Sequence, residues 1–442
     1  MGAADGRGRL VVGPALGESV TENPALARRL GTGDAVVIGL GSMIGAGVFA
    51  AFSPAAAAAG SALLVGLAVA ALVAYANATA SAQLAAQYPT SGGTYVYGRE
   101  RLGPWWGFLA GWGFVIGKTA SCAAMALTFA AYAAPEGWER PVAVVAVAAL
   151  AAVNYRGVTR TARVARIIVV VVLLALAVAV AVSLSGGEPR WSDASPWSGA
   201  TGGWYGVLQA AGLLFFAFAG YARIATMGEE VRDPRRTIPR AIQVALAITV
   251  VVYATVGVTL LATLGPDGTA ATPTPLTAAV ELGGQGWAVT VVRVGAAAAS
   301  LGALLALIAG VGRTSLAMAR EGDLPRWLAA VHPRHRVPHH AEVALAVVVC
   351  VLVLTVDLRG AIGFSSFGVL LYYLVANLAA WTQDDEHRRF PRALQVLGAL
   401  GCLTLVVTLP AASVAVGAVV LVVGVGLRLW RTRRPRRGAP AT

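Results

Sequence analysis

Apolar residues gather along this chain into twelve blocks, at 34–58, 62–87, 104–133, 141–155, 164–185, 204–228, 241–264, 287–312, 341–357, 360–382, 393–409 and 411–430. Short polar connections bearing Gly and Pro separate them. Wound as helices, blocks of this size match the roughly 30 Å hydrocarbon core of a bilayer. The fourth, ninth and eleventh are short for that distance. The pattern predicts an all-α polytopic membrane protein of twelve transmembrane helices, with tails over 1–33 and 431–442 and no separate soluble domain. The first tail is polar, Gly-rich and Arg-bearing, without a sustained apolar run. It reads as a cytoplasmic tail and not as a signal peptide.

Composition agrees. The chain is 57% hydrophobic and 12% charged, where a soluble chain of this length carries roughly twice the charge. Cys122, Cys350 and Cys402 all fall inside apolar blocks, which argues against a disulfide framework or a metal cluster. His332, His335, His339 and His340 stand in a Pro/Arg-rich connection without a cysteine nearby, and read as a solvated loop without metal. The net charge of +13 comes from basic residues scattered over the short connections. They lack aromatic interleaving, so the partner they imply is a lipid bilayer and not nucleic acid. With the N-terminus placed in the cytoplasm, 28 of the 34 Lys and Arg residues lie on the cytoplasmic side. Arg140, Arg190 and Arg359 fall outside, and Lys118, Arg223 and Arg293 fall within spans. The positive-inside rule then predicts both termini on the cytoplasmic face of a bacterial-type plasma membrane. Arg223 and Arg293 lie about two turns from a span end, within snorkelling reach of the interface.

Candidate chemistry begins in the first block. Gly39-Leu-Gly-Ser-Met-Ile-Gly-Ala-Gly47 holds four glycines in nine residues, each costing about 1 kcal/mol against alanine in a helix. One reading is a helix broken over Ile44 to Gly47, with freed backbone groups facing a polar cavity. The other is close helix packing, since Gly41-Ser-Met-Ile-Gly45 is also a small-xxx-small spacing. The sixth block repeats the signal in Phe215-Phe-Ala-Phe-Ala-Gly-Tyr221. Paired interruptions at corresponding places in two five-helix halves point to a transporter's binding site.

Four stretches carry a family resemblance: Gly41-Ser-Met-Ile-Gly-Ala-Gly-Val-Phe49; Tyr88-Pro-Thr-Ser-Gly-Gly-Thr-Tyr-Val-Tyr97, continuing to Gly103-Pro104 and Gly111-Trp112; Phe215 to Arg240 with Glu229-Glu230; and Arg313-Thr-Ser-Leu-Ala-Met-Ala-Arg-Glu-Gly-Asp-Leu-Pro325. Together they resemble the amino acid–polyamine–organocation superfamily, most closely its bacterial amino acid permeases and cationic-amino-acid-transporter-like members. The resemblance implies a leucine-transporter-like fold: inverted repeats of five helices over about 34–185 and 204–382, plus two helices over 393–430. It implies a secondary transporter of amino acids working by alternating access, either proton-coupled or an exchanger, without a cofactor. The substrate carboxylate would meet the amides of Gly45, Ala46 and Gly47. The substrate amine would meet carbonyls near Met43, Ile44, Phe216 and Ala219, beside Gly220. Phe216 falls at an aromatic gate position. Glu229 and Glu230, followed by Arg232, Arg235 and Arg236, are candidates for an inner gate. A side chain at Gly45 or Gly47 would crowd the amides and penalise a positive φ.

No Asp or Glu falls in mid-span, which weighs against a polyamine or amine exchanger of the same fold. No HExxH motif, intramembrane carboxylate pair or Ser/His pair suggests an enzyme. A membrane sensor or scaffold is the reading from another class. Lys118, the chain's lone lysine, lies about fourteen residues into the third block and so near mid-bilayer. A charge at that depth is a functional candidate. Proton-coupled relatives carry a lysine on helix 5, where this chain has Val172. Lys118 resembles a substrate-facing helix 3 position of arginine exchangers. A cation there repels a cationic side chain, so a neutral or acidic amino acid is expected, with Lys118 a candidate for proton coupling.

Overall fold

The computed structural model describes residues 30–90, 92–157, 162–186 and 189–433. The tail before residue 30, Arg160 and the tail beyond 433 lie outside them. Among the described residues the chain is helical, without strands.

The first block is three helices, α1 (Thr32–Met43), α2 (Ala46–Ala50) and α3 (Phe52–Ala59). The break occupies only Ile44 and Gly45, narrower than the expected Ile44 to Gly47, because Ala46 and Gly47 already open α2. Then come α4 (Leu63–Gln87), α5 (Gly93–Leu102), α6 (Pro104–Ala133), α7 (Glu139–Tyr155) and α8 (Ala162–Ser185). Gly103 ends α5 with φ +99°, and Pro104 starts α6 where its missing N–H costs nothing. The sixth block is α9 (Gly203–Phe218), a 3-10 turn over Ala219–Tyr221 and α10 (Ala222–Ala225), so this helix tightens at its glycine and does not open.

Next, α11 runs Pro234–Ala271 with a kink at Gly265 (φ +70°) before Pro266. It is followed by α12 (Pro275–Leu282) and α13 (Gly286–Arg320). The connection expected over Gly265 to Gly286 is therefore largely helical, and helix continues past Arg313 to Arg320. There Gly322 (φ +80°) turns the chain, and the amides of Asp323 and Leu324 close on the Met318 carbonyl. The chain ends with α14 (His339–Thr355), α15 (Leu358–Trp381), α16 (Arg392–Thr408) and α17 (Ala411–Arg433). Asp357 caps α15 by accepting from the Gly360 amide at 3.0 Å.

Nine stretches among the described residues are long and apolar enough to cross a bilayer. The remaining three blocks, α7, α14 and α16, are seventeen residues each, about 25 Å of helix. Large apolar side chains such as Leu174, Val251, Leu400 and Val422 stay exposed, as lipid-facing helices require. The chain is a multi-pass membrane protein.

The packing is paired. The contact of α1 with α11 has a counterpart in α9 with α4, that of α6 with α15 in α13 with α8, and that of α4 with α15 in α11 with α8. The pairs α4–α11, α6–α13 and α7–α14 are also in contact. The two interrupted helices meet at the centre of this arrangement.

Candidate functional site

A broken helix inside a bilayer leaves carbonyls and amides to be satisfied locally. Three tyrosines and the lysine take the carbonyls. The Tyr253 hydroxyl of α11 donates to Met43 O at 2.6 Å and reaches Ala217 O at 3.1 Å, so it bridges the two interrupted helices. Tyr373 of α15 and Lys118 of α6 both donate to Ala219 O, each at 3.3 Å. Tyr132 of α6 donates to Phe49 O at 3.0 Å, at the second bend of the first span. Rings hold these hydroxyls in place. Phe218 and Phe52 lie on Tyr253, Phe215 and Tyr221 on Tyr373, and Phe49 on Tyr132. Two of the carbonyls expected to receive a substrate amine, those of Met43 and Ala219, already accept from side chains in this state.

No tyrosine enters the sequence-based site. A tyrosine inside an apolar span needs a partner for its hydroxyl, which was the available signal. Which carbonyl it meets depends on packing between distant helices.

The amides of Gly45, Ala46 and Gly47 lie outside the helical hydrogen-bond ladders, at the start of α2. Both early readings of the glycines meet here. A Cβ on Gly47 would come within 2.6 Å of the Ala217 Cα, and one on Gly220 would run into the Ser42 carbonyl and the Met43 amide at 2.5 Å. These two glycines let the interrupted helices touch backbone to backbone. Gly45 is looser, its Cβ meeting the Ala303 Cβ at 3.1 Å and the Ala299 carbonyl oxygen at 3.9 Å. The expected positive φ is absent: Gly45 has φ −96°, and Gly47 lies in helix. Close approach is what asks for glycine.

Phe216 keeps 8% exposure, whereas Phe215 and Phe218 beside it are fully buried. Lys118 is 7% exposed. Ser121, on the next turn of α6, shares a 2.6 Å hydrogen bond with Ser365 of α15. Val172 is buried on α8.

Glu229 and Glu230 lie beyond α10, away from this centre. Glu230 pairs with Arg223 at 3.2 Å, and not with the arginines that follow it. Arg223, expected within snorkelling reach of the interface, reaches a carboxylate there, because the turn after Thr226 brings residue 230 back over α10. The chain entering α1 docks alongside, Leu30 N to Glu230 O at 3.1 Å and Arg232 N to Leu30 O at 2.9 Å. Asp34 of α1 meets Arg166 of α8 at 2.6 Å.

A second charged cluster was missed altogether. Asp323 is buried and accepts from Tyr95 at 2.8 Å, Arg99 at 3.3 Å and Arg428 at 3.1 Å. Burial pushes its carboxyl above the ordinary 3.8, against the hydrogen bond of Tyr95 and the charges of Arg428 and Arg99. Arg428 also lies over the rings of Trp105 and Phe108.

The sequence profile of the amino acid permease family matches residues 30–432. An uncharacterized transporter of Mycobacterium tuberculosis is 59% identical over 417 residues, covering 93% of this chain and 94% of its own. A branched-chain amino acid permease of Bacillus subtilis is 26% identical over 442 residues, with 93% and 94% covered. Cationic amino acid transporter 7 of Arabidopsis thaliana is 28% identical over 370 residues, with 78% and 63% covered.

Proposed function

The chain belongs to the amino acid permease family of membrane transporters, and from that premise we propose that it carries an α-amino acid by alternating access, as a secondary transporter. The substrate carboxylate meets the amides of Gly45, Ala46 and Gly47. Its amine meets carbonyls of the two interrupted helices near Met43, Ile44, Phe216 and Ala219. Phe216 closes the site, and the segment of Glu229 and Glu230, with its pair to Arg223, holds the inner side. Lys118 sets the preference for a neutral or acidic amino acid over a cationic one. It also carries the coupling proton, unless the protein exchanges one amino acid for another.

The paired packing supports a twelve-span topology of two inverted five-helix repeats, 34–185 and 204–382, with helices over 393–430 added. The basic connections support a plasma-membrane orientation with cytoplasmic termini.

One observation carries the reading. The two interrupted helices touch through Gly47 and Gly220, while the amides at the start of α2 stay outside any helical ladder. Uptake of labelled amino acids into proteoliposomes tests it, comparing wild type with Gly45→Ala. Gly45 is the informative position because a methyl there meets one alanine methyl and no backbone atom closer than 3.9 Å. The variant should fold, and uptake should fall about tenfold, because the methyl crowds the approach to the amides and weakens the carboxylate's hold by roughly the worth of one charge-assisted hydrogen bond. Full uptake by a folded Gly45→Ala protein refutes the amide site.

A further inference from the structure

Lys118 has no counter-ion among the described residues. It stands near the middle of α6 at 7% exposure, and its ammonium makes one hydrogen bond, to Ala219 O, which Tyr373 shares. Among the described residues no carboxylate forms an ion pair with it. Asp34 and Glu342 lie in the first turns of their helices, Glu229 and Glu230 beyond α10, and Glu321 and Asp323 beyond α13, all at helix ends whereas Lys118 stands in mid-helix. Its neighbours on α6 are spoken for, since the Ser121 hydroxyl is engaged with Ser365 and Thr119 bonds back to Val115 O. An ammonium offers three donors, and a buried charge is tolerated where it is paired. Two donors and one positive charge therefore remain to be matched at the turn where α9 gives way to α10.

We propose that the substrate supplies the missing charge: the transported molecule is an acidic amino acid, whose side-chain carboxylate pairs with Lys118. This rests on the transporter reading above and deepens it. The charge balance decides between substrate classes. An α-amino acid brings one ammonium and one carboxylate that cancel. A neutral side chain then leaves the lysine's charge uncompensated in the closed site. A cationic side chain adds a second positive charge. An anionic side chain brings the loaded site to neutrality and gives the two spare donors an acceptor. In the loaded site the carboxylate accepts from Nζ, with no bond made or broken.

The test compares isosteres in proteoliposomes containing the full chain. Labelled glutamate and aspartate are measured against glutamine and asparagine, for wild type, Lys118→Gln and Lys118→Arg. Wild type is expected to prefer glutamate over glutamine at least tenfold in uptake at limiting concentration. Lys118→Gln is expected to lose or reverse that preference while still carrying glutamine, which shows that it folds. Lys118→Arg is expected to keep it. A wild type that carries glutamine as well as glutamate overturns the proposal, as does a preference surviving in Lys118→Gln. Glutamine uptake that depends on chloride also overturns it, because a free anion then plays the part assigned to the substrate. If wild type carries none of these and no other α-amino acid, the transporter reading itself has failed; if it carries leucine or glutamine but not glutamate, only the counter-ion inference has.

Discussion

At the scale of single residues, the site depends on how glycine and tyrosine divide the work. Gly47 and Gly220 permit contact between backbones, and a methyl at either would strike main-chain atoms that cannot move aside. Tyr253 then satisfies what the breaks expose, one hydroxyl reaching two carbonyls on two different helices. Replacing it with Phe keeps the ring packed on Phe52 and Phe218 and strands both carbonyls in an apolar interior. The expected cost is about 1–3 kcal/mol, read as a lowered melting temperature in detergent. Tyr132→Phe removes a bond to one carbonyl, that of Phe49, and is expected to cost less. Equal melting temperatures for Tyr253→Phe and wild type would show that the bridge carries no stability. The glycines were legible in the sequence because each is costly in a helix and either a break or a close contact must offset that cost. The tyrosines were not, since a hydroxyl's partner is set by which helices pack together.

At the scale of elements, the first interrupted helix was readable from local composition, and its partner from the matching position in the second half. The shape of each interruption was not. A glycine between small residues is compatible with an open bend, as at Gly45, and with a tightened 3-10 turn, as at Gly220, and the surrounding contacts choose. The Asp323 cluster was invisible for a similar reason. Arg99 of α5, Asp323 just after α13 and Arg428 of α17 are far apart in the sequence, and folding brings them to one place. They tie α5, the end of α13 and the end of α17 together. Because the desolvation of Asp323 opposes its pairing, the pair as a whole contributes little, but removing Arg428 leaves the buried carboxylate with only Tyr95 and the longer Arg99 contact. Arg428→Met is therefore expected to destabilise the protein by about 3 kcal/mol. The double variant Asp323→Leu/Arg428→Met should recover most of that loss. Thermal unfolding of the two single variants and the double variant measures the coupling, and additive effects would mean that no such pair stabilises the element.

At the scale of the whole molecule, the number of crossings decides the topology. The nine long apolar stretches by themselves cross an odd number of times, which would leave the two ends of the chain on opposite faces. The two-repeat topology proposed above has α7 and α14 cross as counterparts, in keeping with the packing of each on the other, on α6 and on α13. On the proposed topology α16 brings the count to twelve, an even number, and the basic connections favour both ends in the cytoplasm. At about 25 Å each, these three helices cross only where the bilayer thins locally or where flanking side chains reach the interface. Reporter fusions that fluoresce only in the cytoplasm, placed at each terminus and in the connections after α7, after α14 and after α16, provide the measurement. Signal is expected at both termini and after α7, and none after α14 or α16. Signal at one terminus only would mean that an odd number of the short helices fails to cross. A cytoplasmic signal after α14 would place that helix on the membrane surface and remove the symmetry on which the two-repeat reading stands.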